Sequence, residues 1–296
     1  MIQSISNAQW IGECLLKSIL MEACTWPKPG LVTPISNGAH HDMDIWLFIT
    51  SSSVIAPCFT DCAKAGEKHE GSLRDLFSIV RNIGIHYENK LLDTTEHVNT
   101  QRGILFSGAV LATAAGWLCG QGRMLSYDSL SQSVTELCRD LCLNDFAALT
   151  HRTPQTHGEK LFVEFGIIGI RGETEQGFPL VRNVGLPALH FAISQGLGWR
   201  ESLIHTLLSL MANCDDTTVL SRGKWKALNE MKRRAQELVE LGGMFYPDIE
   251  RALTDFNKWC MKKWLSPGGS ADLLALCLAM YFLCNQASQK LSKEGE

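Results

Sequence analysis

The stretch Gly103-Ile-Leu-Phe-Ser-Gly-Ala-Val-Leu-Ala-Thr-Ala-Ala-Gly-Trp-Leu-Cys-Gly-Gln-Gly122 carries no charged residue. It is long enough to tempt a membrane-spanning reading. Yet it is rich in Gly, Ala, Ser and Thr, and the polar run Asn99-Thr-Gln-Arg102 directly precedes it. A helix apolar on every side and built from small residues is expected to lie buried in the middle of a protein. Residues 271–285 read the same way, as a second buried helix. Outward from these two segments, apolar residues recur at helical spacing and no series of alternating strands is visible. Helices are expected at 7–24, 43–65, 72–92, 100–119, 126–146, 157–170, 184–196, 200–214, 225–242, 247–264 and 270–287. Proline and glycine clusters punctuate them, as at Pro27-Lys-Pro-Gly30 and Pro267-Gly-Gly269. Short connections make neighbouring helices pack on each other, and no long-period repeat points to a solenoid. The expected fold class is all-α: a compact single-domain bundle of about ten or eleven helices with buried central helices, residues 1–296 forming one domain.

At 296 residues the chain can bury a sizeable core. Its net charge of −4 argues against a nucleic-acid or anionic-membrane surface. Phosphate-bearing partners must then be held by local basic residues. The 11 cysteines include no Cys-x-x-Cys pair, so a metal–thiolate site is not expected. Residues 1–7 show no charged start followed by an apolar run, so no secretory leader is expected. Reduced cysteines in a cytoplasmic protein are the plain reading.

Polar residues cluster where helices begin and end. Glu22 falls in the last turn of the first helix, just before Pro27 and Pro29, where a carboxylate opposes the helix dipole. Such a breach of local rules occurs at sites, although an exposed glutamate tolerates the same place. Asp42 and Asp44 open the next helix beside His40. Capping explains one carboxylate well, and Asp-x-Asp next to histidine is also a reasonable ligand set for Mg2+. In Asn99-Thr-Gln-Arg-Gly103, Asn99 or Thr100 can cap the central helix. Arg102 suits an incoming phosphate, or it reaches out to solvent.

Further along, Gly169-Ile-Arg-Gly-Glu-Thr-Glu-Gln-Gly-Phe-Pro179 presents Arg171, Glu173 and Glu175 on a tight, glycine-rich backbone. Asn213-Cys-Asp-Asp-Thr-Thr-Val-Leu-Ser-Arg-Gly223 again puts a carboxylate, Asp215, after the end of an apolar helix. In Ser266-Pro-Gly-Gly-Ser-Ala-Asp272, Ser270 is a natural N-cap and the preceding glycines can form a nest for an anion. No Gly-x-x-x-x-Gly-Lys-Ser/Thr loop and no Gly-x-Gly-x-x-Gly turn is present. Phosphate chemistry must therefore use helix N-termini, scattered arginines and carboxylate-bound metal.

In this order, the motifs resemble the triphosphoribosyl-dephospho-CoA synthase family. The likeness is carried by Pro27-Lys-Pro-Gly-Leu-Val32, Asn37-Gly-Ala-His40 with Asp42-Met-Asp44, Asn99-Thr100, Arg171-Gly-Glu173 with Gly177-Phe-Pro179, Asp216-Thr217 with Arg222-Gly223, and Ser266-Pro-Gly-Gly-Ser-Ala-Asp-Leu-Leu-Ala275. The resemblance implies an all-α enzyme, a pentosyltransferase that converts ATP and 3'-dephospho-CoA into 2'-(5''-triphosphoribosyl)-3'-dephospho-CoA and adenine. It implies Mg2+ with ATP as substrate, and a separate carrier-protein transferase that receives the product for citrate lyase or malonate decarboxylase. A homodimer would suit the apolar surplus.

On this reading Glu22, Glu173 and Asp216 are the catalytic candidates. Lys28, Asn37, His40, Asn99, Thr100, Arg102, Arg171, Arg222 and Ser270 are expected to bind substrate or phosphate, and Asp42, Asp44 and Asp272 a metal. Two departures from the family's usual pattern stand out. Gln101 and Arg102 stand where it reads His-Lys, and Lys224 stands where it reads the second glycine of Arg-Gly-Gly. Two other classes share the residue pattern: a helical ADP-ribosyl or nucleoside hydrolase, and a non-catalytic nucleotide-binding homologue.

Overall fold

The computed structural model describes residues 5–147, 149, 153–154 and 157–294. Among them the regular structure is helical, with only an isolated bridge between Thr33 and Ser36 in strand-like pairing. The helices are α1 (Asn7–Cys24), α2 (Ile45–Glu67), α3 (Leu73–Thr94), α4 (Arg102–Gly120), α5 (Tyr127–Leu137), α6 (Leu141–Ala147), α7 (His157–Phe165), α8 (Gly169–Glu175), α9 (Leu186–Ser194), α10 (Trp199–Asn213), α11 (Thr217–Glu240), α12 (Ile249–Lys263) and α13 (Gly268–Glu294).

The uncharged segment behaves as its composition dictates. α4 runs through the centre, packed by α1, α2, α3, α5 and α13, and most of its side chains are buried. Its small residues let α2 approach almost backbone to backbone. A Cβ on Gly66 would lie 2.2 Å from the Thr113 carbonyl oxygen, and one on Gly116 would lie 2.0 Å from that of Ala63. One turn on, a Cβ on Gly120 would lie 2.3 Å from the Glu67 carbonyl oxygen. The apolar part of α13 forms the second buried helix, with residues 273–280 closed to solvent. Buried apolar side chains from α1 to α13 make one contiguous cluster. Three helices, α2, α4 and the first part of α13, are long and apolar enough to cross a membrane, and α4 is 72% buried inside the protein over that window.

Three expected helices are reshaped by residues with positive φ. The span 126–146 divides into α5 and α6 because Asp140 adopts φ 63°, a conformation invisible in the periodic apolar pattern. The span 157–170 divides at Gly166 and Gly169, with φ 70° and 53°. The helix expected from 225 starts at Thr217 and carries a kink at Lys224. A single π-helical turn, Val181–Gly185, precedes α9, so helical backbone begins before the expected residue 184 while α9 itself starts at Leu186. Ser270 is not an N-cap, because α13 already begins at Gly268.

The α2–α4 approach leaves no room for a methyl group on backbone atoms that cannot retreat. Gly116→Ala is therefore expected to destabilise the protein by about 1–3 kcal/mol, read as a lower midpoint in urea denaturation. An unchanged midpoint would contradict the close crossing.

Candidate active site

A cleft of about 930 Å3 draws on all five polar motifs. The last turn of α1 and the first turns of α4 and α13 contribute to it, together with residues 28–43, one face of α3, α8 and the start of α11.

Glu22 ends α1 against the dipole, and the chain answers with Lys28. After the prolines turn the backbone, the Lys28 ammonium donates to the Glu22 carboxylate and, at 2.7 Å, to the Glu22 carbonyl oxygen. A cation thus caps the C-terminus of α1. The pair is buried, with side-chain exposures of 1% for Lys28 and 8% for Glu22. Lys28 lines the cleft, but its charge is committed to Glu22.

Three further carboxylates, Asp216 buried and Glu173 and Asp272 partly so, are held by helix N-termini. Asp216 is the N-cap of α11: its Oδ1 accepts from the N–H groups of Thr218 at 3.0 Å and Val219 at 3.3 Å. Its Oδ2 accepts from Ser270 N at 2.8 Å and Ser270 Oγ at 3.0 Å, in the first turn of α13. Burial pushes the Asp216 carboxyl pKa up, and these donors oppose that rise. Glu173 accepts from Leu180 N at 2.5 Å, at the start of the π turn before α9. Burial raises its pKa too, against the hydrogen bonds from Leu180 and Val181.

Asp272 stands at the N-terminus of α4, where Gln101 supplies no side-chain cap. It takes a hydrogen bond from the Ile104 backbone, while burial, then Glu22 and then Asp216 drive its pKa well upward. Gly103 lets that carboxylate approach the helix start, since a Cβ there would sit 1.9 Å from Asp272 Oδ2.

Cations and hydroxyls face the cleft from its sides. His40 Nε2 lies 2.8 Å from Ser266 Oγ, and its Nδ1 lies 3.5 Å from Asp42 Oδ1. Arg222 donates to the Ala39 carbonyl oxygen at 2.9 Å and reaches toward His40. Burial and then the Arg222 charge hold the His40 pKa below its ordinary value. Thr217, Thr218 and Ser221 of α11, with Gly268 and Gly269 of α13, complete this part of the lining. Elsewhere Arg102 pairs with Glu88, and Arg171 donates to Asp145 Oδ2 at 2.9 Å.

Eleven of the expected site residues therefore line one cleft: Glu22, Lys28, His40, Asp42, Asn99, Thr100, Arg102, Arg171, Glu173, Arg222 and Asp272. Four do not. Asn37 is exposed on the turn before Gly38. Asp44 caps α2, accepting from Leu47 N at 2.8 Å. Asp216 and Ser270 lie just behind the lining, bonded to each other. The anion nest keeps its glycines at the cleft, but Ser270 is turned to Asp216.

The sequence reading missed Arg81, Glu88 and Asp145, which also line the cleft. Arg81, Gly84, Ile85 and Glu88 share a face of α3 at helical spacing, a signal present in the sequence. Asp145 sits on a helix too short to show a period. Among the described residues no group of three or more His, Cys, Asp and Glu could hold a metal ion.

Residues 8–290 match the family described as ATP:dephospho-CoA triphosphoribosyl transferase. The chain belongs to that family. A relative from Pectobacterium atrosepticum, named 2-(5''-triphosphoribosyl)-3'-dephosphocoenzyme-A synthase, is 41% identical over 92% of this chain and 88% of its own. Relatives from Malonomonas rubra and Vibrio cholerae, each named a probable synthase of that kind, are 39% and 35% identical over 96% and 95% of this chain and 90% of theirs. No solved structure matches. The protein is thus an enzyme of the transferase class, and the hydrolase and binding-protein readings are not favoured.

The two departures from the family's usual pattern take on physical meaning. Gln101 is buried and exchanges hydrogen bonds with Ser52 Oγ of α2 at 3.2 and 3.3 Å, which ties α4 to α2. Lys224 has φ 57° and ψ −174°, a region that glycine alone enters cheaply. Its ammonium bonds Glu164 at 2.7 Å across to α7.

Removing the Asp216 carboxylate uncaps two helices at once. Asp216→Ala is expected to lower the unfolding free energy by about 2–4 kcal/mol, measured by urea titration. Lys224→Gly relieves the backbone and is expected to raise stability by about 1 kcal/mol. A fall in its melting temperature would refute that strain.

Proposed function

We infer that this enzyme joins ATP to 3'-dephospho-CoA, forming 2'-(5''-triphosphoribosyl)-3'-dephospho-CoA and adenine. The observation that carries this reading is a carboxylate-lined cleft flanked by two helix starts and Arg222, on a chain that belongs to the transferase family. The bond that forms joins the acceptor's 2'-oxygen to ribose C1, and the bond that breaks joins C1 to adenine N9. Cationic character at C1 grows in between, and preorganised carboxylates stabilise it. The triphosphate is carried through intact, so no P-loop is needed.

Glu173 is the better base of the two glutamates. The Glu22 carboxylate is neutralised by Lys28, whereas burial raises the proton affinity of Glu173. It takes the proton of the acceptor hydroxyl. Asp272, whose proton affinity burial and its acidic neighbours raise, is the group placed to give a proton to the departing adenine. Glu22, paired with Lys28, lines the same cleft. The triphosphate lies along Arg222, His40 and the hydroxyls of Thr217, Thr218 and Ser221, near the starts of α11 and α13, where anions are favoured.

Mg2+ fits this arrangement as a passenger on ATP. Octahedral Mg2+ takes one or two protein carboxylates plus phosphate oxygens, and Asp42, half exposed beside Arg222 and His40, is such a donor. The ion would neutralise phosphate charge. The enzyme works in the cytoplasm, and a separate transferase loads its product onto the carrier subunit of citrate lyase or malonate decarboxylase.

Protein incubated with Mg2+, ATP and dephospho-CoA should yield adenine and the adduct in equal amounts by chromatography and mass spectrometry. Adenine formed without acceptor would instead mark a hydrolase. Glu173→Gln is expected to cut kcat by about 100-fold or more. In the parent enzyme kcat/KM should rise with pH along an acidic limb whose midpoint lies above the ordinary glutamate value. That limb should vanish in the variant, and a limb that persisted would remove Glu173 as the base.

A further inference from the structure

A second cluster of guanidinium groups lines the same cleft, apart from Arg222 and its neighbours. Arg81 on α3 donates to Asp145 Oδ1 at 2.8 Å, and Arg171 on α8 donates to Asp145 Oδ2 at 2.9 Å. One carboxylate of α6, 11% exposed, thus braces two guanidinium groups that are 49% and 27% exposed. All three residues line the cleft. The cluster carries two positive charges against one negative. Its hydrogen bonds are separate from the set that holds Arg222 and His40, whose partners are Ala39, Trp264 and Ser266.

The surroundings of the two loci differ. Arg222 stands among hydroxyls and glycine backbone, which suit a chain of phosphates. Arg81 projects from an apolar wall made by Phe77, Val80 and Ile85 of α3, and Ile170 faces the cleft beside Arg171. The reaction needs both kinds of place. One substrate ends in a triphosphate. The other bears a pyrophosphate continued by a largely uncharged pantetheine arm. Each guanidinium gives only part of its N–H fork to Asp145, and such forks suit phosphate oxygens bidentately.

We propose that Arg81 and Arg171, braced by Asp145, bind the pyrophosphate of the CoA-type acceptor, with the apolar face of α3 receiving its pantetheine arm. Arg81 is then a specificity residue for the acceptor. This rests on the reading that dephospho-CoA is the acceptor.

The test measures KM for dephospho-CoA and for ATP separately in the parent enzyme, Arg81→Met and Arg81→Lys. Calorimetric titration with each substrate alone accompanies the kinetics. Arg81→Met should raise KM and Kd for dephospho-CoA about tenfold or more and leave those for ATP within about twofold. Arg81→Lys, which keeps the charge and loses the fork, should fall between. Arg81 is half exposed, and melting curves would confirm that each variant is folded. A rise in KM for ATP, or no change for either substrate, overturns the proposal. Failure of the parent enzyme to form the adduct would instead overturn the assigned reaction.

Discussion

The site depends on one buried carboxylate shared by two helices. Asp216 closes the N-terminus of α11 with one oxygen and grips the first turn of α13 with the other. Helix starts repel one another through their partial positive charges, and a carboxylate between them turns that repulsion into attraction. The arrangement brings Thr217, Thr218 and Ser221 next to Gly268 and Gly269. It also fixes Asp272, two residues beyond Ser270, at the start of α4. Three helix N-termini thereby meet around the same cleft.

That convergence explains how so many acids coexist in a small volume. Asp216, Glu173 and Asp272 each draw on backbone N–H groups, which stabilise charge without placing a cation there. Glu22 sits at a helix C-terminus and cannot use that device, so it takes Lys28 as a partner. Burial lifts the pKa values of Asp216, Glu173 and Asp272 alike. A floor of this kind holds protons and stabilises a developing positive charge, the two needs of ribosyl transfer.

Much of this was legible in sequence because it rests on local rules. The uncharged, glycine-rich run at 103–122 announces a central helix. Carboxylates at unfavourable helix positions, Glu22 above all, point to the cleft. Partners supplied from distant segments leave no local trace. Gln101 reads as a lost histidine, yet its side chain is spent on Ser52, 49 residues away. Ser270 has the chemistry of an N-cap, but Asp216 recruits it from 54 residues upstream. Asp140 and Lys224 bend the chain by adopting positive φ, which a non-glycine side chain does not advertise.

The cations divide by the same logic of burial. Lys28 is sealed against Glu22, and breaking such a pair leaves an uncompensated charge in the interior. Its ammonium ties residue 28 to the end of α1 through the Glu22 carboxylate and carbonyl. Arg102 pairs with Glu88 at the cleft edge, where solvent reduces an ion pair to about 0–1 kcal/mol, whereas Arg81 and Arg171 share the largely buried Asp145. A bond of that strength holds Arg102 in place yet yields to a phosphate that offers more oxygens. The carboxylates Glu88 and Asp145 keep the cationic walls oriented, and the substrates supply the stronger partners.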